Sequence, residues 1–102
     1  MEETPQSEEV QVLEITDHID LHGFRPKEIR FVVEDYLEAA QEKGFRQVRL
    51  IHGRGKGVQR AQIQARLRSN PRVERFADAP PGRGGWGATL CWLAQKPVTV
   101  DE

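Results

Sequence analysis

The stretch VRLIHGRGKGVQR, residues 48–60, passes from one type of secondary structure to another within thirteen letters of sequence. It begins with β-favouring residues and reaches a histidine, after which every second residue is glycine. The apolar start predicts a partly buried strand, and the glycines predict a tight connection. The following segment, residues 58–70, predicts a short, strongly basic helix with Val58, Ile63 and Leu67 as its apolar contacts. Strand, glycine loop and helix in succession are typical of a sheet covered by helices.

The segments on either side complete a βαβαββ order. HIDLHG, residues 18–23, alternates in period 2 and predicts a short strand. Residues 26–43 have apolar side chains at three- and four-residue steps, which predicts an amphipathic helix that begins at Pro26 or Lys27 and is capped by Gly44. Residues 72–79 and 86–94 predict two antiparallel strands joined by a turn. Because strand–helix–strand connections give parallel pairs, the predicted fold is an α/β two-layer sandwich with a four-stranded mixed sheet and two helices.

Length and composition indicate one small globular domain in a chain of 102 residues. We predict a flexible acidic tail over residues 1–14, a folded domain over residues 15–95 and a short tail over residues 96–102. The single cysteine, Cys91, excludes an intramolecular disulfide and a cysteine-based metal cluster. Because no N-terminal apolar segment suits a signal peptide or membrane span, the expected location is cytoplasmic, with no membrane partner.

Charge is distributed unevenly although the net charge is −1. Residues 1–44 contain 4 Lys/Arg and 12 Asp/Glu, whereas residues 45–96 contain 11 Lys/Arg and 2 Asp/Glu. A basic half of this kind can mark a surface for a polyanion, and it can equally be a solvated basic helix.

Three glycine-containing clusters could carry chemistry: DLHG (residues 20–23), HGRGKG (residues 52–57) and GGWG (residues 84–87). The first two follow strands predicted to be parallel, and ligands bind at the carboxyl edge of such sheets. A glycine-rich turn before a helix forms an anion-binding nest, to which Arg54 and Lys56 add charge. Phosphate is therefore the expected ligand of this nest. A nucleotide cofactor is not expected, because the spacing fits neither a P-loop nor a dinucleotide fingerprint.

Each cluster also has a structural interpretation. The glycine loop can be a flexible connection without a ligand, and Asp20 with His22 can be a hydrogen-bonded pair at a strand end. Two histidines at one predicted sheet edge, beside an anion nest, favour a site. His18 is expected to be exposed and without a functional role.

The segments IDLHGF, IHGRGKG and GGWGATLCWL, in this order, resemble the Smr domain, the small MutS-related module, over about Ile15 to Leu93. The resemblance implies a βαβαββ sandwich similar to the C-terminal domain of bacterial initiation factor 3. It also implies an endonuclease that nicks or cleaves DNA or RNA, linked to ribosome rescue or to DNA repair and recombination. Asp20, Leu21 and His22 would form the D-x-H motif, His52 to Gly55 the HGxG motif, and Gly85 to Gly87 the third glycine motif.

The predicted mechanism cleaves a phosphodiester bond, in RNA rather than DNA. His22 would be general base or acid, Asp20 would orient it, and His52 would take the complementary role. With the 2′-hydroxyl of RNA as nucleophile no metal is required; the alternative is a divalent metal held by Asp20, His22 and His52. The predicted phosphate- and nucleic-acid-binding residues are Gly53, Arg54, Gly55, Lys56, Gly57, Arg60, Arg66, Arg68, Gly85, Trp86 and Gly87.

Two other classes of function remain open from the sequence. A non-catalytic module that binds nucleic acid or the ribosome needs only the anion nest and a basic face, formed by Arg60, Arg66, Arg68, Arg72 and Arg75. A protein-interaction domain would use Trp86 and Trp92, although Trp86 in its glycine turn could also stack on an exposed base.

Overall fold

A computed structural model describes residues 14–53 and 57–95 of the chain. The strands are β1 (His18–Asp20), β2 (Gln47–Ile51), β3 (Val73–Asp78) and β4 (Ala88–Leu93), and the helices are α1 (Pro26–Glu42) and α2 (Val58–Arg68). Two short 3₁₀ turns, Pro81–Arg83 and Gly85–Gly87, separate β3 from β4. The expected tails at residues 1–13 and 96–102 lie outside the described residues.

The four strands form one mixed sheet in the order β1-β2-β4-β3. β1 runs parallel to β2, with Asp20 opposite Ile51. β4 runs antiparallel to both of its neighbours, β2 and β3. The predicted βαβαββ order, the parallel first pair and the final antiparallel pair are therefore confirmed.

The first helix has the boundaries that its sequence predicts. Proline occupies its first position, and Ile29, Val33, Tyr36, Leu37 and Ala40 are buried along one face. At the other end Gly44 has φ +88°, and its N–H donates to Gln41 O at 3.0 Å while Phe45 N–H donates to Ala40 O at 3.1 Å. These two bonds form a Schellman cap, which explains why a glycine stands there.

The second helix differs from its prediction at its first residue. Ile63 and Leu67 are buried, but Val58 is 65 % exposed, so its predicted apolar contact is wrong. Val58 lies five positions before Ile63, and at 100° per residue this offset turns Val58 away from the Ile63–Leu67 stripe.

The start of the last strand is also later than predicted. The strand begins at Ala88, and Trp86 and Gly87 belong instead to the second 3₁₀ turn. Gly84 and Gly85 have φ values of +114° and +56°, so the chain turns here instead of extending.

The core lies between the helices and one face of the sheet. It is formed by side chains from α1, α2 and the strands, among them Leu21, Ile29, Leu50, Ile63 and Leu67. Cys91 is fully buried in this cluster, and burial raises the pKa of its thiol to about 12. Ala79, Ala88 and Leu90 form a second, smaller cluster, separate from this core, and pack against Ile51 and Trp92. Among the described residues no helix is both long and apolar enough to cross a membrane.

Candidate functional site

Asp20 and His22 form an exposed hydrogen-bonded pair directly after β1. Asp20 Oδ1 lies 2.5 Å from His22 Nδ1 and also accepts the backbone N–H of His22 at 3.1 Å. The hydrogen bond from His22 lowers the pKa of the Asp20 carboxyl, which is therefore charged at neutral pH. A carboxylate at this position holds Nδ1–H as the donor and leaves Nε2 as an acceptor. The His22 side chain is 67 % exposed.

All three glycine-containing clusters meet at this end of the sheet. Leu21 N–H donates to Ile51 O at 2.7 Å, so the D-x-H motif lies beside the end of β2. Gly87 O accepts the N–H groups of both His52 and Gly53, at 3.0 and 2.9 Å. The predicted common edge is therefore present.

His52 is buried at this edge, and both of its ring nitrogens have partners. The residue is 3 % exposed; Nδ1 lies 3.0 Å from Gly53 O, and Nε2 lies 2.8 Å from Thr89 Oγ1. Because a carbonyl only accepts, Nδ1 carries the proton and Nε2 accepts from the Thr89 hydroxyl. Burial, the largest cause, lowers the pKa of His52, while the bond to Gly53 opposes this shift. His52 is therefore neutral at neutral pH.

The two histidines share an edge but face different environments. His52 lies on the α2 side of the sheet, where Thr89 also accepts from Gln64 of α2 at 3.1 Å. His22 lies in solvent, paired with Asp20. The sequence predicts that the histidines are close, whereas their opposite exposures follow only from the packing of α2.

The hydrogen bonds of His52 continue across α2 to β3. Gln64 Nε2 also donates to Asp78 Oδ1 at 3.2 Å. Arg60 binds the same carboxylate through both of its oxygens, at 2.9 and 2.8 Å. The Arg60 guanidinium, predicted to bind phosphate, is therefore held by Asp78.

The glycine loop has both of its ends fixed beside the site. A Cβ on Gly53 would lie 3.7 Å from His22 Cβ, and one on Gly57 would lie 3.8 Å from the Trp86 ring. Both glycines have φ +80°, and Gly57 is the N-cap of α2. Trp86 is 43 % exposed. The remaining predicted loop residues, Arg54, Gly55 and Lys56, lie outside the described residues.

Three of the four other predicted arginines contact an aromatic ring or a carboxylate. The guanidinium of Arg68 lies 5.5 Å from the Phe76 ring, and that of Arg75 lies 3.8 Å from the Trp92 ring. Arg72 Nη2 lies 3.8 Å from Glu38 Oε2. Arg66 lines a groove between α1 and α2.

The residues proposed as a three-ligand metal set do not fit a metal as a set. Within residues 14–53 and 57–95, no group of three His, Cys, Asp or Glu side chains could hold a metal ion. Asp20 and His22 lie together, but the ring nitrogens of His52 are bound to Gly53 and Thr89.

Sequence reasoning did not identify Thr89, Gln64 and Asp78 as partners of the site. Thr89 is fully buried within the apolar strand β4. A polar residue inside the run ATLCWL was the available signal, because a buried hydroxyl needs a hydrogen-bond partner.

Comparison with known proteins identifies the family of the chain. The model of the Smr domain family matches residues 19–94. The endonuclease MutS2 of Thermus thermophilus is 46 % identical over 75 residues, which is 74 % of this chain and 10 % of that protein. The chain thus spans about one tenth of the length of the curated MutS2 relatives it matches.

Solved structures show the same fold. The Smr domain of Thermus thermophilus MutS2 has a TM-score of 0.74 at 43 % identity, covering 78 % of this chain and 99 % of that one. YdaL, a stand-alone small MutS-related protein from Escherichia coli, has a TM-score of 0.73 at 27 % identity, covering 78 % and 65 %. The family match, the relatives and the fold agree, and the chain belongs to the Smr domain family.

Proposed function

We propose that this protein is an endonuclease that cleaves phosphodiester bonds in nucleic acid, RNA in preference to DNA, with His22 as its general base. The observation that carries the proposal is the exposed Asp20–His22 pair, 2.5 Å apart, beside the glycine loop. The similarity to proteins named endonuclease MutS2 supports the same reaction class.

In this mechanism His22 Nε2 removes the proton from a ribose 2′-hydroxyl. The 2′-oxygen then forms a bond to phosphorus, the bond from phosphorus to the 5′-oxygen breaks, and the 5′-oxygen takes a proton from water. The products are a 2′,3′-cyclic phosphate and a 5′-hydroxyl end. The Asp20 carboxylate orients the imidazole and stabilises its cationic form, as a buried or hydrogen-bonded carboxylate does beside a general-base histidine.

In this proposal the phosphate is held by backbone groups beside His22 and by the charge of the glycine loop. Gly53 and Gly57, with positive φ, bring the chain to the N-terminus of α2, where helix N–H groups without intrahelical partners attract anions. Arg54 and Lys56 add positive charge from the loop. Trp86, next to Gly57, provides a ring on which a base can stack.

His52 acts in this proposal as a positioning residue. Its Nδ1–H holds the carbonyl of Gly53, and its backbone N–H binds Gly87 O, so it fixes the start of the glycine loop. Its buried, fully hydrogen-bonded ring supports this assignment in place of a direct proton transfer.

The first prediction compares two exposed histidine–carboxylate pairs at the two ends of β1. His22→Ala should lower the rate of RNA cleavage by about 10²–10⁴-fold because it removes the general base, and Asp20→Asn should lower it less. His18→Ala is the matched control, since His18 is also exposed and also paired with a carboxylate, Asp17, at 3.1 Å. Cleavage of labelled RNA, with folding checked by circular dichroism, measures the effect.

The outcomes separate this function from the alternatives. Equal rates for His22→Ala and His18→Ala would contradict the assignment of His22. Cyclic phosphate ends formed equally with and without chelator support attack by the 2′-hydroxyl, whereas loss of cleavage with chelator supports a metal-activated water. Protein that binds RNA and DNA but cuts neither, with any divalent metal, would be a non-catalytic binding module.

A further inference from the structure

A cationic groove lies between the two helices, away from the sheet edge that carries Asp20 and His22. The groove has a volume of about 350 Å³ and is lined by Pro26, Lys27, Arg30, Phe31, Gln62 and Arg66. Three of its six lining residues are cations and none is acidic. Lys27 and Arg30 come from the acidic half of the sequence, and Arg66 comes from the basic half.

None of the three cations forms an ion pair within 4 Å among the described residues, although Arg66 also borders the neighbouring pocket of Glu34, Asp35 and Glu38. Arg60, Arg72 and the two histidines of the ion pairs are bound to carboxylates, but Lys27, Arg30 and Arg66 are in none of these pairs. Lys27 and Arg30 of α1 and Arg66 of α2 line the same groove, so an anion bound there meets positive charge from both helices.

An exposed aromatic ring stands in the same groove. Phe31 is 56 % exposed, and the Arg30 guanidinium lies 4.7 Å from its ring centroid. A planar cation over an aromatic ring gives a flat surface on which an unpaired base can stack. Phosphate charge and a base are both found in a single strand of nucleic acid.

The groove is connected to the sheet edge that carries His22 by residues 23–26, which are hydrogen-bonded to α2. Gln62 of α2 donates to Pro26 O at 2.7 Å, and Gln59 donates to Phe24 O at 3.3 Å. Only four residues of chain separate His22 from Pro26, and four residues span at most about 14 Å. One strand of nucleic acid can therefore contact both His22 and the groove.

We propose that this groove binds the single-stranded nucleic acid that flanks the cleaved bond, with Lys27 and Arg66 on a phosphate and Phe31 with Arg30 against an unpaired base. The inference rests on the proposed function only in taking nucleic acid as ligand, and it does not depend on the cleavage step.

The test measures binding without cleavage. A short fluorescent 2′-O-methyl RNA has no 2′-hydroxyl nucleophile, so its affinity is read by anisotropy on the intact protein. Phe31→Ala should weaken binding about tenfold through lost stacking, and Lys27→Ala should weaken it several-fold. Lys43→Ala, which removes an exposed lysine at the other end of α1, should leave the affinity unchanged. A duplex of the same sequence should be little affected by Phe31→Ala.

Three results would overturn the groove. The first is that Phe31→Ala and Lys27→Ala bind the RNA as tightly as Lys43→Ala does. The second is that inorganic polyphosphate displaces the RNA equally well from wild type and from Phe31→Ala. The third is that Phe31→Ala lowers the affinity for duplex and for single strand by the same factor. Cleavage assays distinguish the two proposals. If the groove variants bind RNA more weakly and neither wild type nor any variant cleaves RNA, the groove proposal stands and the nuclease proposal fails. If the groove variants bind RNA as wild type does and cleavage is normal, the nuclease proposal stands and the groove proposal fails.

Discussion

At the scale of single residues, the two histidines of the site differ in what their surroundings allow. His22 is exposed and bound to one carboxylate, whereas His52 is buried and hydrogen-bonded through both ring nitrogens. Burial lowers the pKa of His52 from 6.5, so the folded protein favours the neutral ring. The residue therefore links the stability of the fold to pH.

The prediction at this scale concerns His52 and pH. Because its folded pKa lies below its unfolded value, the unfolded state binds more protons once the pH falls below 6.5. The free energy of unfolding should be largest above this pH and should decrease toward about pH 5. His52→Gln should lack this decrease, and His52→Ala should cost about 1–3 kcal/mol at neutral pH because buried groups lose their partner.

Urea titrations at neutral and mildly acidic pH measure both effects. Asp17, Asp20 and Asp78 have pKa values lowered from 3.8, so they change stability only at more acidic pH and do not confuse the comparison. An equal decrease in wild type and His52→Gln would reject His52 as the cause.

At the scale of elements, the ends of helices and strands determine where the functional groups stand. Gly44 ends α1 with a left-handed backbone, and Gly57 begins α2 with another. The Arg60–Asp78 ion pair joins the first turn of α2 to the end of β3. Because both groups are partly exposed, this pair contributes at most about 1 kcal/mol, and it orients α2 more than it stabilises it.

The prediction at this scale isolates the cost of a left-handed backbone, because an added Cβ is not crowded at either of the two glycines compared. A Cβ at Gly44 would meet nothing within 4 Å, so Gly44→Ala costs only the left-handed conformation, about 1–2 kcal/mol. Gly82→Ala is the matched control, because it also has open space and no positive φ. It should be neutral or stabilise by about 0.4–1 kcal/mol through the unfolded state. Thermal unfolding of both variants decides the matter, and equal changes would show that the Gly44 conformation is not the source of the cost.

At the scale of the whole molecule, folding brings the acidic and basic halves of the sequence together. Glu34, Asp35 and Glu38 of α1 line one pocket with Arg66 and Arg72. Arg60 and Arg72 of the basic half are thereby paired with Asp78 and Glu38. Arg66 of the same half lines the groove with Lys27 and Arg30 from the acidic half. The proposed nucleic-acid groove therefore takes its cations from both halves of the sequence.

The prediction at this scale is the salt dependence of binding. Each phosphate contact to a single strand contributes about 0.7 to the slope of log affinity against log salt concentration. Lys27 and Arg66 are proposed to hold one phosphate, so the double variant Lys27→Ala/Arg66→Ala should flatten the slope by about 0.7. Lys43→Ala/Arg46→Ala removes two exposed cations beyond the far end of α1 and should leave it unchanged. A slope that is the same for both double variants would contradict the groove.

Local sequence pattern by itself determined the order of elements, the parallel and antiparallel pairings and the common edge for the three glycine-containing clusters. Periodicity and caps act over a few residues, and the carboxyl ends of parallel strands must coincide. Only tertiary structure decided that His52 turns inward to Thr89 while His22 stays in solvent, because this depends on α2 covering one side of the edge. The same is true of the groove: Lys27 and Arg66 are far apart in the sequence, and only the packing of α1 against α2 places them together.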